Sequence, residues 1–235
     1  MTDEWPVGAP VDRVPVGRVF ERVTLDGRSV SLVPVSASDH AEALYGSFCD
    51  SDPHGRIWTY MGYGPFAAFS DFQEWLTAQE TSADPLCYAI VPRDTGVAAG
   101  MASFMRMNVH DGVAEIGNIW FASSLQKGRA SSEAIFLMMR HVLDTQGCRR
   151  LEWKCNALNA PSRRAAVRYG FAFEGIFRNH MVIKGRNRDT AWYAIIEEEW
   201  PPLRSAFEIW LDDENFDHDG IQKQSLSALT ATLRQ

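Results

Sequence analysis

The pattern of apolar and polar positions is most informative in the middle of the chain. Residues 115–121 are apolar and aromatic enough for a buried strand. Residues 123–132 are small, polar and basic, and residues 133–143 then resume with a wide apolar helical face. The pattern predicts a strand, a loop and a helix. Backbone N–H groups and the positive end of the helix dipole would converge at the helix start, which suits a phosphate.

Similar patterns predict further elements on both sides of this segment. Before it, they predict a strand, two helices and two strands, at residues 29–35, 39–48, 71–79, 86–91 and 97–107. After it, they predict a strand, a helix and two strands, at residues 151–155, 159–169, 171–183 and 190–196. This mixed order predicts an α/β fold of the mixed α+β kind, with helices on both faces of a mixed sheet.

The two ends of the chain differ from this predicted domain, which covers residues 28–200. Residues 1–27 begin with a Pro-, Val- and Gly-rich stretch without periodicity, which predicts an N-terminal arm lying over the surface. Residues 201–235 predict a helical C-terminal extension that serves as a lid, an arm or a dimer contact. Phe207, Trp210 and Leu211 are expected to be exposed there, which favours a homodimer.

Composition and charge exclude some functions. The net charge of −7 argues against a nucleic-acid partner, and it is compatible with a cationic substrate such as an amine, although solubility explains it equally well. The four cysteines form no CxxC pair or metal spacing, and the histidines are too scattered for a metal site. Without a signal peptide or a long apolar span, the chain is expected to be cytoplasmic, with no membrane partner.

Five short motifs occur in order along the chain. They are Gly27-Arg28, Glu115-Ile116-Gly117, the loop ending Ala130-Ser131-Ser132-Glu133-Ala134, Asn159-Ala160-Pro161-Ser162, and Tyr169-Gly170-Phe171 with Glu174-Gly175. In this order the chain resembles the GCN5-related N-acetyltransferase (GNAT) family, and most closely its RimJ/RimL-like branch. The resemblance covers residues 28–196.

The resemblance implies a transferase that uses acetyl-CoA as co-substrate and releases CoA. It implies a mostly antiparallel sheet in which the fourth and fifth strands splay apart to admit the pantetheine, while an amine attacks the thioester directly. The family loop is Gln/Arg-x-x-Gly-x-Gly/Ala. Gln126 fits this pattern, but Gly128 lies one place early, Arg129 occupies the first Gly position and Ser131 the last.

The resemblance also supplies the expected cofactor-binding residues, which are Phe121, Gln126, Lys127, Gly128, Arg129, Ala130, Ser131, Ser132, Asn159 and Arg163. The loop amides would hold the pyrophosphate, Arg129 and Arg163 would meet phosphates, and Asn159 would bind the pantetheine. Three structural alternatives stay open. Ser131 or Ser132 is an ordinary helix cap, Asn159 is only an N-cap, and the arginines form a solvated face.

Three residues are candidates for the chemistry. Glu115 would take the proton of the attacking amine, in competition with Glu152 on the neighbouring predicted strand. Ser162 would protonate the leaving thiolate, or it is only a surface serine in the first turn of a helix. The position at which many family members carry a tyrosine acid is Ala166. The backbone at Trp120 would polarise the thioester carbonyl. An extra residue near Asn118, relative to the family spacing, predicts a β-bulge.

An acceptor pocket is predicted from Trp58, Tyr60, Tyr63 and Trp153, since aromatic walls bind planar or cationic groups. The alternative is that these rings pack a long loop onto the sheet. The sequence thus predicts an N-acetyltransferase that acts on a primary amine of a small molecule, an amino acid or a peptide N-terminus. The rival interpretation is a non-catalytic acyl-CoA-binding or regulatory module on the same fold.

Overall fold

The computed structural model describes residues 5–52 and 54–234. Its eight strands are β1 (Leu25–Asp26), β2 (Val30–Pro34), β3 (Leu86–Pro92), β4 (Gly100–Asn108), β5 (Val113–Phe121), β6 (Arg150–Asn156), β7 (Ala172–Ile183) and β8 (Arg186–Ile196). They form one sheet in the order β1-β2-β3-β4-β5-β6-β8-β7. Neighbouring strands are antiparallel except β5 and β6, which are parallel. The predicted mixed sheet is therefore confirmed.

The described helices are α1 (Ala37–Ser51), α2 (Phe69–Thr81), α3 (Arg129–Arg140), α4 (Ala160–Arg168), α5 (Trp200–Leu211) and α6 (Leu226–Ala231). Most predicted elements are present, but two boundaries differ. The strand predicted from residue 190 begins at Arg186, because hairpin pairing with β7 carries it past the polar residues. The helix predicted from residue 133 begins at Arg129, since small polar residues are compatible with a first helical turn.

The sheet separates two apolar cores. On β3, Tyr88 and Ile90 face the core formed with α3 and α5, whereas Cys87 and Ala89 face the core formed with α1 and α2. This alternation follows from the two-residue period of a strand. Helices on both faces explain why the central strands are apolar on both sides.

The C-terminal extension packs on the first core. The ring of Phe207 stacks on Phe136 of α3 with centroids 5.1 Å apart, and Trp210 and Leu211 are buried beside it. The expectation that Phe207, Trp210 and Leu211 are exposed is therefore wrong, because α5 turns its apolar face onto α3. The homodimer stays a prediction without that support.

The N-terminal residues lie along the domain. Residues 5–24 contain no helix or strand, yet Val16 and Phe20 are buried, and the Gly17 N–H donates to the Val109 carbonyl at 2.9 Å. Residues 1–4 of the predicted arm and residue 235 of the extension lie outside the described residues. None of the helices in the described part of the chain is both long and apolar enough to cross a membrane.

Candidate active site

A gap opens in the sheet between β5 and β6. The two strands pair at only three positions, from Val113 opposite Arg150 to Glu115 opposite Glu152. Beyond Glu115, β5 continues along β4 and β6 continues along β8, so the two strands diverge. The backbone of their diverging halves faces the gap rather than a neighbouring strand. The splayed strands implied by the family resemblance are present.

A β-bulge shapes the β5 side of this gap. Asn118 has a left-handed φ of 52°, and the β4–β5 register shifts between Met101 and Ser103. The Asn118 side-chain amide donates to Ser103 Oγ at 3.1 Å, and that hydroxyl donates to the Gly117 carbonyl at 3.1 Å. The predicted bulge is confirmed, and such bulges redirect backbone groups beside active sites.

A cleft of about 650 Å³ passes through the gap and reaches both faces of the sheet. On the α3–α4 side its walls include Trp153, Ser162 and Tyr169, and on the α2 side they include Tyr63 and Trp75. The cleft therefore joins two separate compartments. A long molecule can enter from one face while a second molecule approaches its end from the other.

The start of α3 offers backbone N–H groups on the first of these faces. Gly128 is the N-cap and has no side chain that could accept them, and first-turn amides have no partner inside a helix. Ser131 and Ser132 do not cap the helix, because both hydroxyls donate to the Gly128 carbonyl, at 2.9 and 3.3 Å. The capping alternative for these two serines is therefore wrong. Gln126 lines the cleft, and its side-chain amide donates to the Phe121 carbonyl at 3.0 Å.

Glu133 fixes this helix start to the β1–β2 turn. Its carboxylate accepts the backbone N–H groups of Arg28 at 2.6 Å and Ser29 at 2.7 Å. A Cβ on Gly27 would lie 2.7 Å from Glu133 Oε1, so a larger residue there would push the Glu133 carboxylate out of this position. The Gly27-Arg28 motif and Glu133 are thus two halves of one contact, which the sequence analysis did not connect.

The side chain of Arg129 has partners other than a phosphate. It donates to the Leu211 carbonyl, pairs with Asp213 at 2.6 Å and lies over the Phe216 ring at 4.7 Å. Its hydrogen bond holds the pKa of Asp213 below the ordinary value. The expected charged contact to a phosphate is corrected: the guanidinium holds the C-terminal extension, and only the backbone N–H of Arg129 stays in the first turn of α3.

The start of α4 carries the next group of predicted residues. Asn159 is the N-cap, with Oδ1 accepting the Ser162 N–H at 3.2 Å, and it also lines the cleft. Ser162 Oγ accepts the indole N–H of Trp153 at 3.0 Å. Arg163 instead donates to the Tyr193 hydroxyl at 3.0 Å and does not line the cleft. The phosphate contact of Arg163 stays a prediction, and any such phosphate would lie outside this cleft.

Two carboxylates meet where β5 and β6 still pair. Glu115 is 3% exposed, and its Oε2 pairs with Arg106 at 2.7 Å and Lys154 at 3.1 Å. Glu152 uses both oxygens, pairing with Lys154 at 2.5 Å and Arg150 at 2.8 Å. Each of the two carboxylates therefore contacts two cations. Glu115 Oε1 takes part in neither of its ion pairs, which leaves it freer than the oxygens of Glu152.

The predicted aromatic pocket divides into two groups. Tyr60 and Trp153 line the cleft, as does Tyr63, which stacks on Trp75 with centroids 4.4 Å apart. Trp58 is 2% exposed and lies within the second core. Its assignment to the pocket is wrong, because its ring packs the loop onto the sheet, as the alternative held. The side chain of Trp120 is also buried in that core, while its position on β5 borders the cleft.

No group of three His, Cys, Asp or Glu residues that could hold a metal occurs in residues 5–52 and 54–234. The open sheet and its cleft leave room for two molecules to meet at the β5–β6 gap. An acetyltransferase (GNAT) domain model matches residues 30–172. The chain therefore belongs to the GNAT acetyltransferase family, and it is an acetyltransferase.

Individual relatives agree with this assignment. A crystal structure of a GCN5-related N-acetyltransferase from Brucella melitensis is 41% identical, with a TM-score of 0.90 over 94% of this chain and 99% of that chain. A probable GNAT-family acetyltransferase structure from Chromobacterium violaceum is 32% identical, with a TM-score of 0.77 over 85% and 99%. An uncharacterized N-acetyltransferase p20 of Bacillus licheniformis is 26% identical over 64% of this chain and 84% of its own length.

Proposed function

We propose that this enzyme transfers an acetyl group from acetyl-CoA directly to a primary amine of a small molecule, an amino acid or a peptide N-terminus. The observation that carries the proposal is the continuous cleft from Gln126, in the loop that leads into α3, through the β5–β6 gap to Glu115. The five motifs in their order support a place in the RimJ/RimL-like branch.

The helix start and the gap suit the two parts of a CoA molecule. The amides of residues 127–132 would hold the pyrophosphate, because the first-turn N–H groups of Arg129–Ser131 have no partner inside α3 and the helix dipole also favours an anion. The pantetheine would lie between β5 and β6, where its amides can pair with strand backbone beside Phe121. The side-chain amide of Asn159 would meet it from α4, since Oδ1 alone is used in capping.

Acetyl-CoA supplies an activated thioester carbonyl, and the residues of the cleft supply the proton transfers. The backbone near Trp120, redirected by the bulge at Asn118, would polarise the carbonyl oxygen. Glu115 Oε1 would accept the proton of the amine, directly or through water. Ser162 would donate its proton to the leaving thiolate, because its hydroxyl lines the cleft and its Oγ is held there by the Trp153 indole N–H.

Direct attack is favoured by the state of the nearest thiol. Among the described residues that line the cleft, Cys155 alone carries a thiol, and burial raises its pKa above the ordinary value. A raised pKa makes a thiol less available as the thiolate nucleophile. Cys155 is therefore poorly suited to carry the acetyl group, which favours direct attack by the amine.

The proposal is tested by incubating the enzyme with acetyl-CoA and a panel of primary amines, with thiol release and the mass of the acetylated amine as readouts. We expect turnover with at least one amine. The C155A variant should retain the wild-type rate within about threefold, because Cys155 forms no covalent intermediate in direct transfer. A rate lost by about 100-fold or more in folded C155A, or an acetylated Cys155 peptide that disappears when amine is added, would contradict direct transfer.

A further inference from the structure

Arg188 of β8 lines the cleft on the side away from the start of α3. Its Nε donates to Thr190 Oγ1 at 3.1 Å, and that buried hydroxyl also lies 2.9 Å from His180 Nδ1. Alternate residues of a strand share a face, so Arg188 and Thr190 lie on the same face as Trp192. Trp192 is paired with Lys154, which places Arg188 on the face that carries Lys154 and Glu115.

The charges of the cleft are unequally matched. Its charged lining residues are Arg106, Lys154, Arg188 and Glu115. Glu115 forms ion pairs with both Arg106 and Lys154, and Lys154 forms a second ion pair with Glu152. Arg188 makes no ion pair with any carboxylate of the described residues, although Glu115 acts on it from a longer distance. The cleft therefore keeps one cation without a contacting anion.

The partial burial of Arg188 makes its lack of an ionic partner energetically significant. Arg188 is half-buried, and desolvation by the surrounding cleft lowers its pKa from the ordinary value. Removing a guanidinium from water without an ionic partner costs free energy that an incoming anion would recover. Its Nε is fixed by Thr190, so the remaining N–H groups are presented in a set direction, as bidentate recognition of an oxyanion requires.

We propose that Arg188 binds a carboxylate or phosphate group of the acceptor, so that the natural acceptor is an amine that also carries an oxyanion. The proposal rests on the function proposed above and names its substrate class. The stacked rings of Tyr63 and Trp75 border the same cleft, so an apolar or aromatic body would suit the rest of the acceptor. An α-amino acid has this combination of groups, and so does a peptide whose terminal residue is acidic.

The test measures anion binding without requiring the natural acceptor. The full-length enzyme is saturated with CoA, which fills the donor phosphate site, and is then titrated calorimetrically with phenylacetate, phenyl phosphate and the neutral benzyl alcohol. R188Q removes the charge, and R188K keeps the charge but lacks the planar guanidinium that can donate two parallel hydrogen bonds. R186Q is the matched control, since Arg186 lies two residues away on the same strand and is exposed.

We expect at least one of the two anions to bind the wild type more tightly than benzyl alcohol, and its affinity to fall about tenfold or more in R188Q. The anion affinity of R188K should lie between those of the wild type and R188Q, and the anion affinity of R186Q should match that of the wild type. The better of the two anions identifies carboxylate or phosphate as the preferred group. Equal binding of anions and benzyl alcohol, or equal anion affinity in wild type and R188Q, would overturn the proposal.

A second readout separates this proposal from the general one. The thiol-release assay compares two pairs of acceptors that differ by one anionic group. One pair is L-phenylalanine and 2-phenylethylamine, and the other is O-phosphoethanolamine and ethanolamine. Acetylation of the neutral amines with equal kcat/KM would reject the Arg188 proposal and leave the acetyltransferase proposal intact. Failure to bind acetyl-CoA would reject both, and the acetyl-CoA affinity of R188Q shows whether that variant is folded.

Discussion

At the scale of single residues, side chains of alternating charge form a row that begins in the cleft. It runs from Arg106 through Glu115, Lys154 and Glu152 to Arg150, with each neighbouring pair in contact. The row places two cations on Glu115 at the place where β5 and β6 separate. Both contact Oε2, so Oε1 is the oxygen that would accept a proton in the proposed mechanism.

Replacing Glu115 by Gln is expected to lower kcat about 100-fold, because an amide cannot take the proton of the amine. The affinity for acetyl-CoA should stay within about threefold, since the donor phosphates are expected at the other end of the cleft. Stopped-time thiol release over a pH series measures the first effect, and calorimetry measures the second.

E152Q is the matched control for this prediction, because Glu152 pairs opposite Glu115 and is also buried. We expect a smaller loss of kcat in E152Q, as both oxygens of Glu152 already hold cations. A folded E115Q with the wild-type rate, or a loss confined to E152Q, would remove Glu115 as the base.

The sequence was a good guide to residue type and a poor guide to side-chain direction. Glu115, Asn159, Ser162 and Trp153 do line the cleft, since strand position and helix start determine where they lie. Arg129 and Arg163 were expected at phosphates, yet their partners are on the extension and β8. Such partners are distant in sequence, so no local pattern could have indicated them. The same holds for Arg188, which the sequence analysis did not select.

At the scale of secondary-structure elements, the junction of β5 with α3 organises the site. β5 leaves β6 after three paired positions, bulges at Asn118 and ends one loop before the open first turn of α3. Periodicity predicted this strand, loop and helix, and family spacing predicted the bulge. The early start of α3 was not predicted, because its first residues are small and polar rather than apolar.

Glu133 gives this junction a testable anchor. E133Q should lower the free energy of unfolding by about 2 kcal/mol, because a charged acceptor of two backbone N–H groups becomes a neutral one. For a chain of this size the melting temperature should fall by roughly 4–8 °C. Thermal unfolding followed by circular dichroism measures the change.

E74Q is the control, since Glu74 is an exposed helical residue of α2. We expect its melting temperature to stay within about 1 °C of the wild type, as surface substitutions have small effects. Equal shifts in the two variants would show that the Glu133 contact with the β1–β2 turn contributes little to stability.

At the scale of the whole molecule, the cleft opens on both faces of one sheet, and the proposed function assigns one substrate to each face. The open amides of α3 lie on one face, and Glu115, Lys154 and Arg188 lie on the other, with the β5–β6 gap between them. The C-terminal extension supports the first face, because α5 packs on α3 and Asp213 pairs with Arg129. Its burial could not be predicted from an amphipathic pattern alone, which does not say what the apolar face will cover.

The proposed function requires acetyl-CoA to occupy this path, and one calorimetric titration of the full-length enzyme with acetyl-CoA and with CoA tests this most directly. We expect one site of micromolar affinity for both ligands, with CoA competing against acetyl-CoA, because the loop amides and the gap recognise the parts that the two share. Absence of binding up to millimolar ligand would contradict the account, and with it every role assigned here to the α3 loop, Asn159 and Glu115.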